Sequence, residues 1–229
     1  MVAYVTLPSW VPDGHKQAPL PLLVVQSFVN TRDLDLGTDL LAEPGPASAW
    51  LRAAGLLSAD ATVTADGLAT AREVRESIRA LLARNMSGPP AARGPARTLT
   101  AEDDLAAGDA LRPGEASGTG ATGAAGDALA PLRALAGAGR PRLAVLPDGR
   151  VQLAAGPAGS LTEGLLRLLV VIRDAQQDGS WARLKICGNP DCQWAFFDRS
   201  HSRQGSWCDM SSCGNLIKNR NLRARRRAS

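Results

Sequence analysis

Four cysteines, Cys187, Cys192, Cys208 and Cys213, are the only ones in the chain, and all fall within 27 residues. Four residues separate the members of each pair, and fifteen lie between the pairs. Thiolates at such spacing suit a structural zinc ion, which takes paired ligands from two tight turns joined by a longer loop. Gly188, Asn189 and Pro190 suit the first turn; Ser211, Ser212 and Gly214 suit the second. Disulfides, an iron–sulfur cluster and four unrelated buried thiols are the competing readings. Zinc is favoured by the equal spacing, and disulfides are disfavoured in a chain expected to be cytoplasmic. A C-x-x-C redox pair is absent. Four thiolates close the shell, so the ion is a scaffold rather than a catalyst. His201 is a weaker candidate ligand, read first as a solvated loop residue.

Around these ligands the chain changes character. Residues 181–229 hold ten basic side chains against three acidic, a net +7, whereas residues 1–180 carry 16 basic and 19 acidic groups. Four thiolates and one Zn²⁺ would bring the loaded segment to about +5. A basic end on a mildly acidic body points to an acidic partner, with DNA as the leading expectation. The competing reading is compositional: 23 of the 26 basic residues are arginine.

The segment GNLIKNRNLRARRRAS after Cys213 reads as a helix. At 100° per residue, Cys213, Ile217 and Ala224 share an inward side, and Leu216, Arg220, Arg223 and Arg227 share the adjacent one. Lys218, Arg220, Arg223, Arg225, Arg226 and Arg227 are the candidate nucleic-acid contacts, with Arg199 and Arg203 added from a turn. Between the cysteine pairs, Trp194, Phe196, Phe197 and Trp207 read better as a small core than as base-stacking groups. Two short strands are expected around a turn at 200–205. Knuckle, hairpin and ligand-bearing helix give a treble-clef-like order.

The body that must position this module reads as mainly helical, so the fold class is mainly α (α+β) with one small β-hairpin. Residues 1–18 form an irregular lead. Helices are expected over 20–30, 44–57, 65–86, 101–111 and 128–136, and a Ser160–Glu163 capping box opens another that ends near Gly179. RLAVLPDGRVQLAAG, 142–156, reads as the hairpin. The expected division is 1–180 helical and 181–229 finger, with 87–127 rich in flexible loop. No cationic leader and no ~18-residue apolar run appears, so a cytoplasmic chain without a membrane contact is expected. No acid/base pair, catalytic triad or phosphate-cradling loop is found, so no enzymatic activity is expected.

The finger residues Cys187-Gly-Asn-Pro-Asp-Cys192, Phe197-Asp198, Trp207-Cys208 and Cys213-Gly214-Asn215 resemble the CGNR zinc finger. Phe28-Val29-Asn30-Thr31, Ala49-Trp50-Leu51 and Ala71-Arg72-Glu73-Val74-Arg75 resemble the ABATE domain that precedes that finger in a group of stress-induced transcription regulators. The resemblance covers most of the chain. It implies zinc in the finger, nucleic-acid contact by it, and a sensing or dimerising role for the N-terminal domain. Leu216 stands where the eponymous motif has arginine, which removes one cation from the Arg220–Arg223–Arg227 face. The alternative function is a ligand-sensing or protein-interaction module in which the finger is only a staple. A small-molecule ligand would then sit between body helices, with Asn30 and Trp50 as candidate contacts, although Asn30 reads more readily as a helix-end cap. A homodimer is expected by analogy with regulators that read two half-sites.

Overall fold

Capping and turn residues set most of the element boundaries. The computed structural model describes residues 9–11, 16–87, 127–156 and 159–228. Helix α1 is Leu22–Val29, and all but one of its residues are buried. A two-stranded ribbon follows, β1 (Arg32–Asp33) against β2 (Thr38–Asp39), turned by Gly37 at φ +67°. Helix α2 (Pro44–Ala53) starts on proline, which is pre-set for a first turn, and stops before Gly55 at φ +70°. Helix α3 (Ala65–Ala83) is capped by Thr64, whose hydroxyl accepts from Gly67 N–H, and runs into a 3₁₀ turn over Arg84–Ser87. Helix α4 (Ala130–Ala138) leads into the hairpin of β3 (Arg142–Val145) and β4 (Val151–Ala154). Helix α5 (Leu161–Gln177) opens on the full capping box: Ser160 accepts from Glu163 N–H, and the Glu163 carboxylate accepts from Ser160 N–H.

The apolar faces of these helices meet in one core. Helix α1 lies against α3 and α5, and Val25, Phe28, Leu51, Val74, Ile78, Leu165 and Leu168 are fully enclosed. Gly164 allows the closest approach: a Cβ there would overlap the Leu56 carbonyl.

The finger joins that same core. Strands β5 (Leu184–Ile186) and β6 (Ala195–Phe197) pair antiparallel, with Leu184 opposite Phe197 and Ile186 opposite Ala195. Side chains alternate along a strand, so Leu184, Ile186, Ala195 and Phe197 share one face, which packs into the helical core. Lys185 and Phe196 share the other. The chain closes with a π-helical turn over Met210–Gly214 and helix α6 (Asn215–Ala228).

The structure is therefore mainly α with small two-stranded sheets, and its cysteine-bearing segment ends in a helix as expected. Two local expectations differ. The finger strands flank the first cysteine pair rather than the 200–205 turn, whose Ser200 and Gly205 N–H groups donate to the Asp198 carboxylate instead of to a strand. The β1–β2 ribbon was not anticipated. The expected 101–111 helix and nearly all of the 87–127 loop fall outside the described residues. Among the described residues, no helix is long and apolar enough to cross a membrane.

Candidate metal centre

The four cysteine sulfurs lie within 4.8 Å of one another. A tetrahedral ion with Zn–S bonds of about 2.3 Å needs sulfurs about 3.8 Å apart. Cys192 and Cys208 are 3.7 Å apart, and Cys208 and Cys213 are 3.8 Å apart. The cluster therefore fits a tetrahedral thiolate-bound metal. Cys187 and Cys213 are buried and the other two half-buried.

Electrostatics agree with that fit. The Cys192 and then the Cys208 sulfur packed beside Cys187 hold its thiol far below the ordinary range. The same contact pushes Cys192 up to about 12, and the Cys187 and Cys192 sulfurs push Cys208 up as well. Packed sulfurs of this kind do not all ionise alone. A divalent cation supplies the charge that lets four thiolates coexist.

Backbone geometry aims the sulfurs. Asn189 organises the first knuckle: its carbonyl accepts from Cys192 and Gln193 N–H, and its Oδ1 accepts from Asp191 N–H. Its amide Nδ2 lies 3.5 Å from the Cys213 sulfur, so it joins the two cysteine pairs. Gln193, at φ +49°, turns the chain from the knuckle into β6. Asp209 organises the second turn by accepting from Ser211 and Ser212 N–H and from the Ser211 hydroxyl. Those bonds, the hydroxyl first, hold its carboxyl down at about 2. His201 is exposed and is not among the residues of the cluster.

The 198–205 turn is built on a buried ion pair. Lys185 Nζ donates to Asp198 at 2.9 Å and to the Arg203 carbonyl at 2.6 Å. Asp198 also accepts from Ser200 and Gly205 N–H. Burial would raise its pKa, but the Ser200 and Lys185 hydrogen bonds outweigh that and hold it below the usual carboxylate range. One of the ten cations after position 180 is thus internal and unavailable to a partner.

The candidate nucleic-acid residues separate into two places. Lys218, Arg220, Arg223, Arg225, Arg226 and Arg227 lie on α6 and all are exposed. The inward side of α6 is shorter than the wheel implied, because Ile217 is half-buried but Ala224 is exposed. Arg220 approaches Asp191 on the first knuckle at 3.8 Å, a surface pair of small energetic weight. Arg199 and Arg203 sit beyond the Leu184–Phe197 end of the hairpin, away from the knuckle. Arg199 donates to the Gln17 carbonyl. Phe196 and Phe197 are buried, and Trp194 and Trp207 are half-buried.

Asn30 and Trp50 are both engaged internally. Asn30 accepts from Ala195 N–H at 2.7 Å and donates to the Ala195 carbonyl at 2.9 Å, so its amide pairs with β6 like a piece of neighbouring strand. Trp50 donates to the Trp10 carbonyl, and its ring lies 6.1 Å from that of Phe28.

Several groups that hold the finger to the body carry no local signal in the sequence. Gln26 donates to the carbonyls of Lys16 and Ala195. Arg79 donates to the carbonyls of Val29 and Gln193, one residue after Cys192. Asn85 donates to those of Trp181 and Leu184. Lys16 donates to the Trp207 carbonyl and lies over the Phe196 ring.

Comparison with known families matches the CGNR zinc finger over residues 183–226. The ABATE model, described as "Putative stress-induced transcription regulator", matches residues 24–177. A search of the curated proteins finds no match.

Proposed function

The chain belongs to the ABATE family and ends in a CGNR zinc finger, and from that premise we propose that it is a zinc-containing, DNA-binding transcription regulator. Cys187, Cys192, Cys208 and Cys213 would hold the ion, which supplies a fixed tetrahedral crosslink and no reaction. Residues 181–229 would contact DNA, and residues 1–180 would sense or dimerise. One observation carries this reading. Helix α6 leaves the cysteine cluster with every residue from Lys218 to Arg227 exposed, and six of those ten are cationic. An isolated 14-residue helix of like charges is marginal in water, and a polyanion relieves its repulsion.

The test is a duplex-DNA titration of the zinc-loaded full chain at about 50 and 200 mM salt. Four phosphate contacts, each with a slope near −0.9, would weaken binding roughly 100-fold between those salts. The control is a chain ending at Ile217, since no core residue lies beyond it. A cut at residue 180 is a poor control because it removes Trp181, Leu184, Ala195 and Phe197 from the core. Binding by the full chain that is lost in the shortened one supports the reading. No binding at 50 mM, or equal binding by both, sinks it.

A second reading, small-ligand sensing, draws on a cleft of about 670 Å³ between the β1–β2 ribbon and α3. Arg32, Arg72, Arg75 and Glu76 line it. Glu76 bridges Arg75 and Arg79, each at 3.0 Å, and Arg79 reaches the metal knuckle. Native mass spectrometry of the purified chain tests it: a bound mass, lost in Arg32→Ala, supports sensing, and the mass of protein plus zinc alone counts against it.

A further inference from the structure

We propose that α6 reads the major groove of duplex DNA through a single stripe, Asn219, Leu222 and Arg226. The proposal rests on the DNA-binding reading above and assigns it specificity-determining residues.

The orientation of α6 fixes the stripe. Ile217 is the one described residue of the helix that is not exposed, so it marks the side facing the finger. At 100° per residue, Asn219, Leu222 and Arg226 all fall within about 40° of the opposite direction. Arg223, Arg227 and Arg220 lie on one flank of that stripe, and Lys218 and Arg225 on the other. A helix seated in a major groove needs this arrangement, with base-reading groups at its leading edge and cations on both sides for the two phosphate backbones.

The residue types on the leading edge match base chemistry. Asparagine can pair with both N6 and N7 of adenine, and arginine with O6 and N7 of guanine. Leu222 is 49% exposed amid cations, where an apolar side chain gains nothing from water. A thymine methyl would give it a contact. Asn219 and Arg226 are seven positions apart, about 10 Å of helix, so one α6 spans about three base pairs. The deep, narrow major groove of A-form RNA would not admit it.

The experiment selects binders from a randomised duplex pool with the zinc-loaded full chain, then titrates variants on the selected site. The expected result is a motif of about three base pairs per chain. Asn219→Ala and Leu222→Ala should each relax one position by roughly tenfold while leaving the salt slope unchanged. Arg226→Ala should relax another, and Arg223→Ala should lower the slope by about one and leave the motif intact. All four sites are exposed, so zinc content and helicity should match wild type. Duplex binding without a motif, or a motif unmoved by the three stripe variants, overturns this assignment while the DNA-binding reading stands. Preference for single strands or RNA duplex also overturns it. No nucleic-acid binding at all removes both.

Discussion

Replacing Asn30 by alanine should loosen the finger and the body together. The Asn30 amide makes two buried hydrogen bonds to Ala195, at 2.7 and 2.9 Å, across 165 residues of sequence. Alanine removes both. The Ala195 carbonyl keeps Gln26 as a donor at 3.1 Å, but its N–H, facing α1, loses its acceptor. Two net hydrogen bonds plus one orphaned buried donor come to about 2–4 kcal/mol. With a urea m-value of about 2–3 kcal/mol/M, the midpoint should fall by about 1–2 M. The assay follows unfolding of the zinc-loaded chain with two probes, far-ultraviolet circular dichroism for the helices and a chromogenic chelator for metal release. Because Leu184, Ala195 and Phe197 sit in the helical core, the two probes should move together. A midpoint shift below about 0.3 M would refute the energetic reasoning. Metal release that moves while the helical signal stays would show that the finger folds as an independent module.

Cys213→Ser should abolish stoichiometric zinc, measured as metal per chain after dialysis; one retained zinc would refute the four-sulfur assignment. Gly164→Ala should destabilise the body by more than about 3 kcal/mol, because its Cβ meets the Leu56 backbone and no side chain can move aside; a melting temperature within a few degrees of wild type would contradict that packing. Asp39, paired with Arg75 at 2.6 Å, has its pKa raised by burial, but the Arg75 hydrogen bond, the Leu41 N–H and the charges of Arg75 and Arg32 together outweigh that, for a net depression. A depressed folded pKa gives stability that is full above the unfolded value of about 3.9 and lost as pH falls through the folded one. The stability gap between wild type and Asp39→Asn, from urea midpoints, should therefore be constant near neutrality and narrow below about pH 4. A gap that does not change down to pH 3 would count against it.

Sequence periodicity was enough to place α2, α3, α5 and the β3–β4 hairpin, since each has its own punctuation: Pro44 and Gly55, Thr64, the Ser160 box, and Gly149 at φ +81°. The cysteine spacing announced the cluster because a metal site imposes local spacing rules. Groups that act across the fold were not legible. Asn30 looked like a helix-end residue, and it does sit at the C-cap of α1, but its side chain serves a strand 165 residues away. Lys185 counted as one more cation until Asp198 enclosed it. Gln26 and Arg79 carry no local signal, because their partners are backbone carbonyls, which every residue has. The placement of β5 and β6 depended on which segment the body would accept as a core layer, and no local pattern encodes that.

The tie between Asn30 and Ala195 also orders events in time. During synthesis α1 is made early and β6 late, so α1 must wait for most of the chain before its buried amides find their acceptors and donors. Until then the Gln26 and Asn30 side chains sit unmatched on an apolar surface, an arrangement that disfavours premature closure. A product cut short before residue 195 would keep α1 to α5 but lack the piece that seals them, leaving the apolar surface that proteases and chaperones recognise. Strand β6, made after the helices it seals, would thus serve as a check that the core has been closed.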